Sequence, residues 1–346
     1  MIKQATGHKR VTIADIAKAV GVSKGAVSYA LNDKPGISDK TRKKILAKAE
    51  QLGWYPNSAA RALSAAKANA CGLVLSRPAR TLAFEPFFMQ LIAGVESELS
   101  ARSIALAIQV VDSVELEMQV YKRWWAERRV DGVLVVDIRE NDPRIEFLAE
   151  LGLPALVVGP PLKNHEIPAL WHDEYGVMEE VVRYLHALGH QYIARVAGVP
   201  GFLHTVTRTK SFLETAKELK MKSKVLTTDF MPESGAQATR KLLTMTEPPT
   251  AVIYDSDILA VAGLGVAHEM GLSIPQDLSI VAWDDSTFCQ LVHPPLTAIS
   301  RDIHSYGATA CRKLLDIIDS NDMTDEESPS GKLIPRASTG RHQEAL

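Results

Sequence analysis

The stretch VTIADIAKAVGVSKGAVSYALN, residues 11–32, reads as two short helices joined across a glycine. Thr12, followed three residues later by Asp15, has the form of a capping box, and Ile13, Ile16, Ala17 and Val20 then recur at helical spacing. Gly21 ends that helix, and Ser23 offers a hydroxyl N-cap to a second one with Ala26, Val27, Ala30 and Leu31 on its buried side. The pair makes a helix-turn-helix. Ser38 opens a third helix, with Ile45, Leu46, Ala49 and Leu52 expected to face inward and Lys40, Arg42, Lys43, Lys44 and Lys48 outward. The opening stretch has no cysteine, paired carboxylates or phosphate loop, so its expected role is to present a surface, although a helical pair of this kind also occurs as a plain hairpin.

Charge favours the first reading. The 346 residues carry a formal net charge of −2, yet residues 1–68 hold 13 Lys+Arg against 4 Asp+Glu, a net of +9, which leaves −11 for the rest. A basic head on an acidic body points to a polyanion bound at one end of the chain, not along its length. With 46% hydrophobic and 23% charged residues, the composition is globular, with room for two or three domains. No apolar run approaches the roughly 20 residues of a membrane span. The basic N-terminus has no apolar stretch behind it, so the expectation is a soluble, cytoplasmic protein with no membrane partner. Cys71, Cys289 and Cys311 are widely spaced and odd in number, which argues for reduced core thiols over a disulfide framework or a metal site.

Asn57 then N-caps an alanine-rich run, NSAARALSAAK. Its roughly nine helical residues fall below the roughly 12 to 15 at which an isolated helix becomes marginal, so this segment either pairs with a partner or serves as a flexible linker. From Cys71 the pattern changes. CGLVLS, SIALAIQVV, DGVLVVD, PALVVG, YIARVAG, AVIYDSD and LSIVAWDD read as buried strands, and segments such as PFFMQLIAGVESEL and GVMEEVVRYLHALG as amphipathic helices between them. Such alternation specifies parallel sheets with helices on both faces. A second series starting near Tyr192 gives two similar α/β subdomains with a cleft between them, and ligands in such sheets sit beyond the carboxyl ends of the strands.

In VTIADIAKAVGVS, AVSYALN, ISDKTRKKI and GWYPN (53–57) the head resembles that of the lactose-repressor/galactose-repressor family of bacterial transcription regulators, and the resemblance runs on over essentially the whole chain. It implies an all-α helix-turn-helix head plus an α/β periplasmic-binding-protein-like body of two Rossmann-like subdomains. The implied divisions are a basic extension (1–10), the DNA-binding head (11–56), a hinge helix and linker (57–70) and the body (71–346). Within the body, one subdomain would take about 71–168 and 299–325 and the other about 169–298 and 326–341, with HPPLTAISRD (293–302) as the crossing and RAST (336–339) as the closing strand. The resemblance places the second helix in the major groove, with Ser23, Lys24, Gly25, Ala26, Ser28, Tyr29 and Asn32 facing the bases. Gly25, Ala26 and Tyr29 stand where relatives often have Gln, Thr and Arg, so the operator sequence does not follow. Thr12, Ser38, Thr41, Trp54 and Asn57 match positions that touch the sugar-phosphate backbone, with packing on the third helix as the alternative for Trp54. Arg61 would lie near phosphates, and Leu63 would wedge into the minor groove where two hinge helices pair.

For the body, the resemblance implies a small-molecule effector, a sugar by preference and a purine as the alternative. It aligns Arg208 with a ligand-gripping arginine and Asp284 with a hydroxyl-accepting aspartate, with Ser256 replacing the usual asparagine and Trp283 a usual aromatic. Phe87, Phe88 and Phe230 match ligand-facing aromatics, and Ser76 closes the first strand. Aromatic faces with hydroxyl acceptors suit a saccharide. A homodimer on a pseudo-palindromic operator follows by analogy, and the final residues show no heptad repeat for a tetramer.

Enzyme signatures are weak. GLGVAH (263–268) lacks the third glycine of a dinucleotide loop and lies in a helical pattern. His186 and His190 stand four apart at a helix end without an HExxH, and His172–Asp173 and Asp284–Asp285 have no nearby nucleophile. No cofactor, metal ligand set or catalytic group is therefore assigned. Periplasmic sugar-binding proteins share the body architecture, which keeps a sugar-binding protein with a vestigial head as the competing reading.

Overall fold

The computed structural model describes residues 11–54, 67–78, 85–162, 167–320 and 322–342. They form two compact units divided after Ala68. Asn57, Arg61 and Leu63 lie outside the described residues.

The head has three helices, α1 (Ile13–Val20), α2 (Lys24–Leu31) and α3 (Asp39–Gln51). Each starts where a side-chain oxygen replaces a missing helical acceptor. Thr12 Oγ1 accepts the Asp15 amide at 3.3 Å while the Thr12 amide donates to Asp15 Oδ2 at 2.8 Å, completing the capping box. Ser23 Oγ accepts the Ala26 amide at 3.1 Å, and Ser38 Oγ the Thr41 amide at 3.3 Å. Gly21 closes α1 at φ 76°, a left-handed conformation that suits glycine. Ile16, Val20, Val27, Ala30, Ile45 and Ala49 form the core.

Two expectations for α3 are corrected. Leu46 is 44% exposed, because it sits one position, about 100°, around the helix from the buried Ile45. Arg42 folds back over the end of α2 instead of facing solvent: its guanidinium donates to Lys34 O at 2.7 Å, Asp33 Oδ1 at 2.6 Å and Ala30 O at 3.5 Å.

The body contains two six-stranded sheets. The first has the order β11 (Glu326–Glu327), β5 (Ala169–Trp171), β4 (Ala155–Val158), β3 (Gly132–Val135), β1 (Ala70–Ser76), β2 (Ala105–Val111), all parallel. The second has the order β12 (Lys332–Ile334), β10 (Thr297–Ser300), β9 (Ser279–Trp283), β8 (Ala251–Tyr254), β6 (Tyr192–Ala197), β7 (Lys222–Thr227). It is parallel except for β12, which runs antiparallel to β10.

Continuous apolar runs arise because both faces are covered. In β6, β8 and β9, Ala194, Val252 and Ile280 join a core with α9 (Pro232–Leu243) and α10 (Asp257–Glu269). Their neighbours Ile193, Ile253 and Val281 join another with α7 (Glu174–Ala187) and α8 (Leu203–Glu218). On the first sheet, α4 (Pro86–Ala101) and α12 (Ile303–Ser320) share one core. Their crossing is tight: a Cβ on Gly94 would lie 2.0 Å from His304 O, and one on Gly307 2.3 Å from Leu91 O.

Several strand assignments need adjustment. β2, expected to be buried, is an edge strand with Ile108 and Val110 exposed. The closing strand is Lys332–Ile334, which ends one residue, Pro335, before RAST begins. There Ser338 instead ties strands together, its hydroxyl donating to Ile280 O at 2.6 Å and accepting the Thr297 amide at 2.8 Å. The chain crosses between sheets after Trp171, Ser300 and Glu327, each a few residues beyond the expected division.

Candidate functional site

On the head, Ser23, Lys24, Gly25, Tyr29 and Asn32 of α2 and its caps are exposed, while Ala26 and Ser28 are half-buried. Ser23 Oγ is held by its cap, and Asn32 Nδ2 donates to Ser28 O at 2.9 Å, which fixes the carboxamide on the helix end. Thr12, Ser38 and Thr41 cluster at helix starts, where a hydroxyl can serve both a cap and an outside acceptor; Ser38 Oγ and Thr41 Oγ1 lie 2.9 Å apart. Trp54 packs half-buried against the three-helix core, which is the packing role weighed for it above.

In the body, a cavity with about 870 Å³ of empty space, part of it open to solvent, lies beyond the carboxyl ends of both sheets. Seven polar residues on its wall are the first or second residue past a strand: Arg77 after β1, Asp137 after β3, His172 after β5, Asp255 and Ser256 after β8, Asp284 after β9 and Arg301 after β10. Of the expected residues, Phe87, Phe88, Arg208, Phe230, Ser256 and Asp284 line it. Ser256 also caps α10, accepting the Leu259 amide at 3.3 Å.

Ser76 and Trp283 do not line the cavity. Arg77 takes the wall position next to Ser76, and Trp283 lies fully buried with the Arg208 guanidinium 4.1 Å from its ring centroid, supporting that arginine from behind.

The arginines are held by carboxylates. Arg77 Nε and Nη2 donate to Asp137 at 2.6 and 2.7 Å, and Nη1 to Glu85 at 2.5 and 2.6 Å. Its guanidinium also lies 5.0–5.1 Å from the rings of Phe88, Phe202 and Phe230. Arg208 Nε donates to Glu174 Oε2 at 2.5 Å, and Arg301 bridges Glu174 Oε1 at 2.8 Å and Asp284 Oδ1 at 3.0 Å.

Protonation follows from this. Burial would raise Glu174, but Arg208 and Arg301 hold it at about 2. Burial pushes Glu85 up to about 7 against the pull of Arg77, and Asp257 up to about 6 against that of Ser286. Burial, with nearby Arg301 and Arg208 respectively, lowers His172 and His204 to about 4.

Arg77, Glu85, Asp137, Glu174 and Arg301 were not singled out from sequence; a usable signal was their position at or near the ends of apolar runs, where an α/β sheet places its ligand. The pairs considered for acid–base chemistry separate. Asp173 caps α7 through the Gly176 amide at 2.8 Å, and Asp285 pairs with Arg336 at 2.6 and 2.7 Å, away from Asp284. His190 lies between Thr250 Oγ1 at 2.9 Å and Ser279 Oγ at 3.1 Å, as a core histidine.

A helix-turn-helix unit ahead of a two-sheet α/β body with a polar cleft is the build of a ligand-responsive bacterial transcription regulator. The model of bacterial regulatory proteins of the lacI family matches residues 12–57, and that of the periplasmic binding protein-like domain matches residues 182–339. The HTH-type transcriptional regulator CelR of Thermobifida fusca is 30% identical over 316 residues, covering 90% of this chain and 93% of that protein. Among solved structures, a lac repressor dimer bound to operator and the anti-inducer ONPF aligns at TM-score 0.83 and 25% identity over 96% of this chain and 100% of that one. A CelR–cellobiose complex aligns at 0.72 and 27% over 95% and 100%. The chain belongs to the lacI family of bacterial regulatory proteins and is a DNA-binding transcriptional regulator. No described helix is long and apolar enough to cross a membrane.

Proposed function

We propose that the chain is a dimeric repressor that occupies a pseudo-palindromic operator and leaves it when a saccharide fills the cleft. The observation that carries the reading is the cavity at the strand ends, where carboxylates and the Phe87, Phe88 and Phe230 rings offer hydroxyl acceptors beside apolar faces. In this reading Lys24, Gly25, Ala26, Ser28 and Tyr29 meet base edges, Thr12, Ser38, Thr41 and Trp54 meet the backbone, and Arg61 and Leu63 act at the hinge. The complexes of relatives with operator and with cellobiose support both halves. In this reading the cleft is a binding site, with Glu85, Asp137, Glu174 and Asp284 spent on orienting Arg77, Arg208 and Arg301.

Effector binding is coupled to operator release by roughly 1–3 kcal/mol, a 5- to 150-fold change in affinity. Selection of bound duplexes from a random pool at about 150 mM salt, repeated with neutral and acidic sugars and with guanine, tests this. An enriched palindrome whose retention falls with a sugar is the expected outcome. Release by guanine alone would transfer the cleft to the purine alternative, and the absence of any enriched sequence would refute the operator.

A further inference from the structure

Of the described side-chain atoms buried without a hydrogen-bond partner, two belong to residues on the cavity wall: Nε2 of His172 and Oδ2 of Asp257. Native structures rarely leave such atoms unmatched, so an unmatched acceptor on the wall of a ligand cavity marks where a ligand's donor goes. The imidazole can be assigned a tautomer. His172 Nδ1 lies 2.9 Å from Pro329 O, and a carbonyl only accepts, so Nδ1 carries the hydrogen. The ring is 8% exposed and lies 4.0 Å from the Tyr306 ring, which fixes its plane. Burial and the Arg301 charge lower its pKa to about 4, so it is neutral near pH 7 and Nε2 is a bare lone pair. Among the wall arginines, Arg77 and Arg301 spend their donors on Glu85, Asp137, Glu174 and Asp284, while Arg208 gives its Nε to Glu174.

We propose that His172 is a ligand-binding residue whose Nε2 accepts a hydroxyl hydrogen from a saccharide in the cleft. This rests on the saccharide reading of the cleft and narrows it. Full-length protein is titrated calorimetrically with cellobiose and with two matched pairs that differ by a carboxylate, glucose with glucuronate and galactose with galacturonate. At least one of these sugars binds, and His172→Phe, which keeps a ring against Tyr306, weakens it by roughly 5- to 150-fold, the range for stranding a buried hydroxyl. A His172→Phe affinity within twofold removes His172 from the ligand. Binding of none of these sugars overturns the saccharide reading and this inference with it. If the variant does not fold, ¹⁵N spectra of wild-type imidazoles decide: the bare Nε2 resonance moves upfield when the sugar that binds is added, and an unmoved resonance overturns the assignment.

Discussion

The two units of this chain handle positive charge in opposite ways. On the head, Lys24 is exposed and makes no ion pair among the described residues, and Lys40, Lys43 and Lys44 of α3 stand out in solvent. In the body, the side chains of Arg77, Arg208 and Arg301 are largely buried and each is held by one or two carboxylates at 2.5–3.0 Å. A polyanion releases counterions from an open basic surface, so a DNA-facing surface gains by leaving its cations free. A cavity that must hold a small polar molecule gains by fixing its polar groups in advance, because an ordered site has less to reorganise on binding. Substitution of a cation should therefore cost folding in the body and affinity in the head.

Arg77→Met tests the body side most severely. It strands Glu85 and Asp137, both largely buried, and breaking such a pair costs about 3–5 kcal/mol. The pH dependence has a definite sign. Glu85 already stands at about 7 against an ordinary 4.5, and without Arg77 the folded-state value rises further. A carboxyl raised in the folded state costs stability as pH rises towards its folded-state value, and the variant goes on losing above about 7, where Glu85 of the parent is already ionised, so the deficit grows on the alkaline side and shrinks as pH falls back towards 7. Urea denaturation at a series of pH values measures it; a loss below about 1 kcal/mol at every pH would mean that the guanidinium network is dispensable.

Lys24→Ala tests the head. Its side chain is exposed and makes no hydrogen bond or ion pair among the described residues, so unfolding free energy should stay within about 0.5 kcal/mol of the parent. Affinity for the selected operator should fall by roughly 1–3 kcal/mol if Lys24 meets a base edge, with relaxed preference at that base pair. If it meets a phosphate, the loss is uniform across sequences and the salt slope falls by about one. Unchanged affinity and slope would remove Lys24 from the interface.

The same contrast explains what could be read in advance. The head is written in local signals: Thr12, Ser23 and Ser38 cap the helices that follow them, Gly21 turns the chain, and apolar residues recur at 3–4 spacing. The central strands were legible as apolar runs because both faces are buried. The short or edge strands β5, β7, β10 and β11 were not, since strands of two to four residues and half-exposed alternation give little periodic signal. The cleft was least legible. Arg77 meets Asp137 across 60 positions and Arg301 meets Glu174 across 127, and a charged residue reads as exposed until its partner is known. Arg42 shows the same failure on a small scale: in sequence it belongs to a basic face, and in space it staples the end of α2.

The smallest effect expected separates fold from function at one residue. Gly25 sits in the first turn of α2, where glycine costs roughly 0.5–1 kcal/mol relative to alanine, and a Cβ built there meets nothing nearer than Ser23 Oγ at 3.8 Å. Folding alone therefore gives no reason for a glycine. Gly25→Ala should stabilise the head by about 0.5–1 kcal/mol, measurable by thermal denaturation of the full chain. If the glycine is there so that the backbone can approach the groove, the same variant loses operator affinity while gaining stability, and the two changes have opposite signs. A stabilised variant with undiminished affinity would show that the base edges stand clear of this turn, and would shift groove recognition towards Lys24, Ser28 and Tyr29.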